Sequence, residues 1–237
     1  MTRLDKDLLR NDPVRYSVRR YFVDEFLLRM SRVLPGDFRI IDIGGKKRNK
    51  RGCFNAEDMG LDVTYLNMDA KTDPDVRGNA EDLPFLSGTF SAAICSEVLE
   101  HVRNPAVVLE EIQRILVHQG RILLCVPFNT AIHGDPDDYR RFTDTCLREM
   151  LAGAGFSGIT VERQGLFFCV LADMLRAGVL HWCNSRNPSR FLVAATRLSL
   201  RRLRRWAIKR ECDRSVAHAP FTSRYTTGFA VSAFKHN

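Results

Sequence analysis

Short apolar runs, rich in β-branched residues, alternate with longer segments along the first two thirds of the chain. They occupy residues 38–43, 63–68, 92–95 and 121–126. The four runs are followed, in this order, by Gly44-Gly45, Asp69, Ser96-Glu97 and Pro127. Short apolar runs with such endings are typical of buried parallel strands. The pattern predicts four strands whose carboxyl ends carry turn-forming or acidic residues.

The segments around these strands carry apolar residues at helical spacing. Residues 14–33 predict a helix that stops before Pro35, and residues 143–153 predict another. A third helix is expected to begin at the cap Asn104, with Pro105 in its first turn, and to end at Gly120. Strands that alternate with helices predict an α/β fold with a doubly wound, mainly parallel sheet.

The last third of the chain is less regular. Residues 158–163 predict a strand, and a final strand within residues 227–237 is expected to run antiparallel. Between them, residues 166–226 predict a helical, basic insertion. At 237 residues, we expect a single domain, with an N-terminal helical segment (1–36) and a core (37–165) preceding that insertion.

Composition narrows the class of protein. The chain is 45% hydrophobic and 27% charged, as in an ordinary globular domain. Its seven cysteines include no Cys-x-x-Cys pair, so neither a disulfide framework nor a metal site is predicted. The apolar segment 165–183 contains charges and predicts no membrane span. We expect a cytoplasmic protein.

Polar side chains follow several predicted strands at one edge of the sheet, where parallel sheets bind ligands. Glycines after the first strand allow close approach of a ligand to the backbone. A carboxylate after the second strand can accept hydrogen bonds from ribose hydroxyls. The candidates for this crevice are Asp42, Gly44, Gly45, Asp69, Asn79 and Glu97.

The ordered series of motifs resembles the UbiE-type class I methyltransferases, which have a Rossmann-like fold and use S-adenosylmethionine. The resemblance covers about residues 39–156 and is carried by Ile41-Asp42-Ile43-Gly44-Gly45, Leu66-Asn67-Met68-Asp69, Gly78-Asn79-Ala80-Glu81-Asp82-Leu83-Pro84-Phe85, Phe90-Ser91-Ala92-Ala93-Ile94, Glu97-Val98-Leu99-Glu100-His101-Val102 and the helix before Arg121-Ile122-Leu123-Leu124.

The resemblance implies a role for each candidate. Asp42, Gly44 and Gly45 would line the methionine end of the cofactor, Asp69 the ribose, Asn79-Ala80 the adenine, and Glu97 would open the loop beside the sulfonium. The chain departs from the family at three places: Lys46-Lys47-Arg48 replaces the third glycine, Asn79 replaces an aspartate, and Ser91 replaces another.

A polar segment after the fourth strand resembles the His-x-x-x-x-Asp-Tyr-x-Arg-Phe-Thr segment of methyltransferases for bacterial polysaccharide and glycolipid synthesis. His133 is the candidate general base, with Asp138 to orient it, and Tyr139 and Arg140 to hold the acceptor. Alternatively, this segment only caps and braces the following helix. His101 is the rival base, although a helix-surface role suits it better.

Two basic blocks contribute to a net charge of +8. The first comprises Lys46, Lys47, Arg48, Lys50 and Arg51. One interpretation is that this block binds a phosphorylated acceptor through Lys46 and Lys47. The alternative is a solvated loop.

The second block lies on a predicted amphipathic helix. Residues 191–210 segregate apolar side chains from Arg197, Arg201, Arg202, Arg204, Arg205 and Lys209. We favour peripheral contact with the inner face of an anionic membrane through residues 190–210. RNA contact, a dimer interface and a plain surface helix remain alternatives, with nucleic acid disfavoured because aromatic residues are sparse.

Taken together with the basic blocks, the two resemblances imply O-methylation of a sugar in a surface glycan, or in its lipid- or nucleotide-linked small-molecule precursor, as part of polysaccharide biosynthesis. The alternatives are methylation of a quinone-like lipid or of RNA, and a catalytically degenerate binding module. The oligomeric state is not predicted.

Overall fold

A seven-stranded sheet forms the centre of the computed structural model, which describes residues 16–34, 37–48, 50, 52–134, 137–186 and 189–236. Its spatial order is β3-β2-β1-β4-β5-β7-β6. The strands are β1 (Arg39–Ile43), β2 (Asp62–Asn67), β3 (Val76–Arg77), β4 (Phe90–Ser96), β5 (Leu116–Pro127), β6 (Phe156–Arg163) and β7 (Gly228–Lys235). The sheet is mostly parallel with antiparallel last strands, so the predicted fold class is confirmed.

Six α-helices accompany the sheet in the described part of the chain. They are α1 (Val18–Ser31), α2 (Pro105–Ile115), α3 (Asp144–Gly153), α4 (Phe167–Arg186), α5 (Arg190–Glu211) and α6 (Arg214–Ala217). Short 3-10 turns cover Glu57–Met59, Ala70–Thr72, Leu99–His101 and Thr222–Arg224. None of the described helices is both long and apolar enough to cross a membrane.

The register of the central strands places their carboxyl ends side by side. Ile43, the last residue of β1, pairs with Leu66 of β2 on one side and with Cys95 of β4 on the other, all in parallel. All three residues are fully buried or nearly so, because both faces of the sheet are covered. The loops after β1, β2 and β4 therefore start from one edge of the sheet.

The core beneath this edge follows the predicted periodicities. Helix α2 buries Val108, Leu109, Ile112 and Ile115 on one face, as its spacing of three and four residues requires. They pack in one cluster with residues of β1, β4 and β5, and of the last strand. This packing fixes the strands from which the site loops emerge.

The structure corrects the predicted limits of α2. Asn104 makes no side-chain capping hydrogen bond, although Pro105 does open the helix. Gly120 does not end it: the helix stops at Ile115 and the chain passes directly into β5, which contains Gly120. A Cβ at Gly120 would lie 2.8 Å from the Val117 carbonyl oxygen, so this glycine serves a tight contact within the strand.

Contact clustering divides the chain into two units. The sheet unit comprises Phe26–Lys50, Phe54–Glu162 and Phe229–Asn237 and contains every candidate site residue that the structure describes. The helical unit comprises Met1–Glu25, Arg51–Cys53 and Arg163–Gly228, which includes the predicted insertion. The prediction of a single domain stays a prediction.

The helical unit pairs α4 with α5 and buries several polar side chains together with apolar ones. The Glu211 carboxylate accepts hydrogen bonds from the Leu166 and Cys169 amides (2.6 and 2.9 Å) at the start of α4. Arg204, predicted on the exposed basic face of α5, is instead 2% exposed. It donates to the Tyr16 carbonyl oxygen (2.8 Å) and lies over the Tyr16 ring, so packing overrides the helical projection.

Candidate functional site

The turn after β1 requires glycine for steric reasons. Gly44 has a φ of +76° and accepts no side chain, because a Cβ there would lie 2.5 Å from Val98 Cγ2. A Cβ at Gly45 would overlap the Asp42 carboxyl group. Bare backbone at both positions suits the close approach of a ligand, and it also brings the turn against the loop that follows β4.

Asn67, at the end of β2, holds this turn in place. Its Nδ2 donates to the carbonyl oxygens of Gly44 (2.9 Å) and Gly45 (3.0 Å), while its Oδ1 accepts from the Asp69 amide (2.9 Å). One side chain thus connects the glycine turn to the predicted ribose ligand. Sequence analysis overlooked this role, although an amide beside that acidic residue was a visible signal.

Asp69 lies on the surface at this edge. Its Oδ1 accepts from the Lys71 amide (2.9 Å), which caps the turn Ala70–Thr72. The capping contact fixes the direction of the carboxylate, and the side chain is exposed to a ligand in solvent. This placement is compatible with the predicted contact to a ribose.

The carboxyl group of Asp42 packs against Gly45 of the glycine turn, and the residue is half-buried. Burial raises its pKa to about 7, and the positive charge of Lys50 only partly opposes this change. Lys50 itself lies over the Tyr65 ring, 5.1 Å from its centroid. Asp42 therefore gains or loses its proton near neutral pH, and a cationic group such as the ammonium of a methionine moiety would favour its ionised form.

The basic loop after the glycine turn is held by acidic partners. The ammonium of Lys47 contacts the Asp75 carboxylate, and Arg48 Nε lies 3.1 Å from Asp73 Oδ2. The amides of Lys47 and Arg48 both donate to the Thr72 carbonyl oxygen at 3.1 Å. Lys46 is half-buried beside them, and Arg51 lies outside the described residues. These contacts support a structural role for the loop at least as well as binding of a phosphate.

The predicted adenine segment follows β3. Asn79 is exposed, and Ala80 is buried. The Arg114 guanidinium of α2 fixes the end of this segment by donating hydrogen bonds to the carbonyl oxygens of Leu83 (2.9 Å) and Phe85 (2.7 Å). This arginine was not among the predicted residues, and its helical position gave no sign of the long-range contact.

Glu97 occupies an unusual backbone position. It follows β4 with a φ of +58°, which is rare for a residue with a side chain, and its amide donates to the Cys125 carbonyl oxygen (2.9 Å). Such strain persists where the surroundings fix it, and it is frequent at ligand sites. The loop begun by Glu97 then continues through Val98, whose side chain meets Gly44.

The predicted acceptor segment is organised by a buried carboxylate. Asp138, 3% exposed, accepts a forked pair of hydrogen bonds from Arg141, one of them 2.7 Å long. It also accepts from the His133 amide (2.9 Å), and its Oδ2 lies 3.4 Å from His133 Nδ1. The Arg141 guanidinium holds the pKa of Asp138 well below its usual range. Asp138 therefore stays ionised and can orient the His133 imidazole.

Tyr139 and Arg140 join this segment to the loop after β4. Tyr139 donates from its hydroxyl to Asp137 Oδ2 (2.9 Å) and from its amide to the Glu100 carbonyl oxygen (2.8 Å). Arg140 donates to the Arg103 carbonyl oxygen (2.8 Å). These bonds fit the bracing alternative, yet the Tyr139 side chain still presents an exposed surface, as holding an acceptor requires.

The two candidate bases lie together. The rings of His101 and His133 meet edge to face with centroids 5.1 Å apart. His101 Nδ1 contacts the Asp137 carbonyl oxygen, and its Nε2 lies 3.5 Å from Glu100 Oε1. Sequence analysis treated the histidines as rivals, because 32 residues separate them and only the fold brings them into contact.

A continuous path of contacts thus links the two halves of the predicted site. It runs from Asn67 to the glycine turn, from Gly44 to Val98, and from Glu100 to Tyr139 in the acceptor segment. Bare glycines, an exposed acidic residue after β2 and a carboxyl group beneath the turn fit the methionine and ribose ends of S-adenosylmethionine.

Comparisons with known proteins find similarity to methyltransferases in one sequence segment and in the fold. The family described as a methyltransferase domain matches residues 53–124, a segment that begins after the glycine turn. An uncharacterized protein of Methanocaldococcus jannaschii is 32% identical over 93 residues, which cover 38% of this chain and 41% of that protein. The aligned part of the chain therefore spans less than half of this relative.

Two solved structures share the fold. A SAM-dependent methyltransferase from Archaeoglobus fulgidus is similar with a TM-score of 0.56 and 14% identity over 91% of this chain and 94% of that one. A putative methyltransferase from Bacillus halodurans gives a TM-score of 0.52 and 16% identity over 89% and 97%. The chain thus has the fold of these methyltransferase structures, and its segment 53–124 is similar to the methyltransferase domain family.

Proposed function

We propose that the protein transfers a methyl group from S-adenosylmethionine to a hydroxyl of a sugar, in a surface glycan or in its lipid- or nucleotide-linked precursor. The observation that carries this proposal is the contact path from the glycine turn to the His133 and Asp138 pair. This path connects the candidate proton acceptor with the predicted cofactor residues, which supports the proposal. The resemblance of residues 133–143 to glycan methyltransferases supports the sugar, and the UbiE-type motifs support the reaction.

The reaction requires an acceptor oxygen in line with the methyl group, and a place for its proton. The bound cofactor supplies a methyl group activated by a sulfonium. When the acceptor hydroxyl takes up that methyl group, its proton would pass to Nε2 of His133. Asp138 holds Nδ1 of that ring and stabilises the imidazolium that results.

The acceptor itself would be held by Tyr139 and Arg140 at the rim. Lys46 is the remaining candidate for an anionic group on the acceptor, since Lys47 is already engaged by Asp75. A nucleotide- or lipid-linked sugar carries such a group next to the sugar ring. A neutral glycan would need only the rim residues.

The test is transfer of a tritiated methyl group by the purified full chain to a panel of acceptors. The panel contains lipid-linked and nucleotide-linked sugars, a quinone precursor and RNA. We expect label in a sugar fraction and at least a 100-fold lower rate in His133→Ala, the usual scale for losing a general base. His118→Ala, on an exposed part of β5, is the matched control and should keep the wild-type rate. Label only in quinone or RNA, or an undiminished rate in His133→Ala, would contradict the proposal.

Peripheral membrane contact through residues 190–210 is a second, separate part of the proposal. Four large apolar side chains of α5 are exposed, namely Phe191, Leu192, Leu198 and Trp206, and they accompany a high density of arginine on the same helix. This combination suits an anionic lipid surface. Sedimentation with vesicles should show binding to phosphatidylglycerol that declines in high salt and in Phe191→Ser. Equal binding to neutral vesicles would contradict it.

A further inference from the structure

Three metal-ligating side chains meet in the loop cluster, and the methyl-transfer proposal uses only one of them. Glu100, His101 and His133 each offer one donor atom, and all three atoms lie within 4.8 Å of one another. Glu100 is fully buried, whereas the side chains of His101 and His133 are 15% and 36% exposed. The cluster is therefore closed on one side and open to the solvent on the other.

The contacts of each histidine determine which ring nitrogen can bind an ion. Nδ1 of His101 faces the Asp137 carbonyl oxygen, so this nitrogen carries the proton. Nδ1 of His133 faces the Ala131 carbonyl oxygen (3.2 Å) and Asp138 Oδ2 (3.4 Å), so the proton of this ring is also on Nδ1. Each ring is left with an Nε2 lone pair. A carbonyl or carboxylate behind a histidine is the usual support of a metal ligand.

The lone pair of His101 points at another acceptor. Its Nε2 lies 3.5 Å from Glu100 Oε1, and two acceptor atoms at this distance repel unless a proton or a cation lies between them. Buried carboxylates are stabilised by such charges. The edge-to-face ring pair, with centroids 5.1 Å apart, also matches the roughly 5 Å expected for two imidazoles on one tetrahedral ion with bonds of about 2 Å.

From these contacts we propose that Glu100, His101 and His133 bind one divalent transition-metal ion, with zinc as the best fit. Two imidazoles and one carboxylate form a ligand set that zinc uses in sites with an open fourth position. Donor atoms on one ion lie about 3.4 Å apart, so binding draws the three groups together by up to about 1.4 Å. Rotation of the two histidine side chains, one of which lies in a loop, supplies this movement.

Such a site leaves a fourth position for another ligand, because both histidine side chains are partly exposed. If the proposed methyl transfer is correct, a sugar hydroxyl can occupy that position, where the ion would lower its pKa and its proton would pass to solvent water. His133 then serves as a ligand rather than as the proton acceptor. Metal binding itself does not depend on that function, and the sequence alone predicted no metal.

The test measures metal binding to the full chain, without cofactor or acceptor. The chelator-stripped protein is titrated with zinc by calorimetry and with cobalt by absorption spectroscopy. We expect one zinc per chain and a cobalt spectrum without thiolate charge-transfer bands. His101→Ala and His133→Ala should each weaken zinc binding at least tenfold, whereas His118→Ala should leave it unchanged. Glu100→Gln, which keeps the volume of the buried side chain, should weaken it as well.

Several results would overturn the proposal. No saturable zinc binding would show that His101 and Glu100 form a plain ion pair. Equal zinc affinity in wild type, His101→Ala and His133→Ala would place the ion elsewhere, and a thiolate band would assign it to cysteines. Because His133 lies in a loop and is partly exposed, His133→Asn should fold normally, which circular dichroism checks. A loss of zinc binding in that variant with an unchanged spectrum would support the site.

Discussion

Cofactor affinity should depend on the protonation of Asp42. Burial raises the pKa of this carboxyl group to about 7, while the cofactor's ammonium group favours its ionised form. If only the ionised protein binds, the competent fraction is about one tenth at pH 6 and about nine tenths at pH 8. The apparent affinity should therefore rise about tenfold between these values, since apparent affinity scales with the competent fraction.

The assay is calorimetric titration of S-adenosylmethionine into wild type and Asp42→Asn at pH 6, 7 and 8. The ligand's own amino group loses its proton near pH 8, so its titration is measured separately and each affinity is expressed per protonated ligand. The difference between the two profiles should show the tenfold rise. Parallel profiles would refute the assigned position of Asp42 in the cofactor site.

The raised pKa of Asp42 also predicts how the stability of the free protein depends on pH. The pKa of Asp42 in the folded protein lies above its unfolded value of 3.8. The stability that its protonated carboxyl group contributes is therefore fully present below about pH 4 and is lost as the pH rises through 7. At pH 8, Asp42→Asn should raise the free energy of unfolding of the free protein, by up to about 4 kcal/mol. Urea denaturation at pH 5 and 8 measures this, and a variant that is less stable at pH 8 would contradict it.

Three further substitutions test the supports of the site. Asn67→Ala removes two hydrogen bonds to the glycine turn and one from the Asp69 amide. It should lower the free energy of unfolding, measured by urea denaturation, by about 2 to 4 kcal/mol and weaken cofactor binding. Unchanged cofactor affinity would contradict its positioning role. Arg141→Met leaves the buried Asp138 carboxylate without its forked partner and should lower the free energy of unfolding by about 3 kcal/mol at pH 7. The loss should be smaller as the pH falls towards 3, because Asp138 of the variant then takes up a proton. An equal loss at pH 7 and pH 3 would be inconsistent with this reasoning. Thr143→Ala removes the cap that accepts from the Cys146 amide and should cost about 1 kcal/mol by the same method, whereas Thr143→Ser should cost little.

Local patterns predicted the parts of the fold that depend on burial. The strands β1, β4 and β5 are largely buried, and β2 is buried at Tyr65 and Leu66. Their apolar runs were recognised in the sequence, although β5 begins five residues before the run predicted at 121–126. The two-residue strand β3 carries too few positions for any periodicity, so it was missed. The limit of α2 was misplaced because a glycine inside β5 resembles a helix stop.

Contacts between residues far apart in sequence limited how much of the site could be predicted. Residues at strand ends, such as Asp42 and Asp69, could be placed from the sequence because the topology of a parallel sheet brings strand ends together. The contact of His101 with His133 and the burial of Arg204 depend on side chains far apart in sequence. No local pattern contains that information, so both required the folded chain.

The central claim is that the turn after β1 and the acid after β2 bind S-adenosylmethionine, and titration calorimetry on the purified full chain tests it most directly. The matched variants are Asp69→Ala, which removes the predicted ribose ligand, and Asp62→Ala, which removes an exposed carboxylate at the opposite end of β2. We predict saturable binding to wild type and to Asp62→Ala, and at least tenfold weaker binding to Asp69→Ala. No cofactor binding to wild type, or equal binding to all three proteins, would contradict the account.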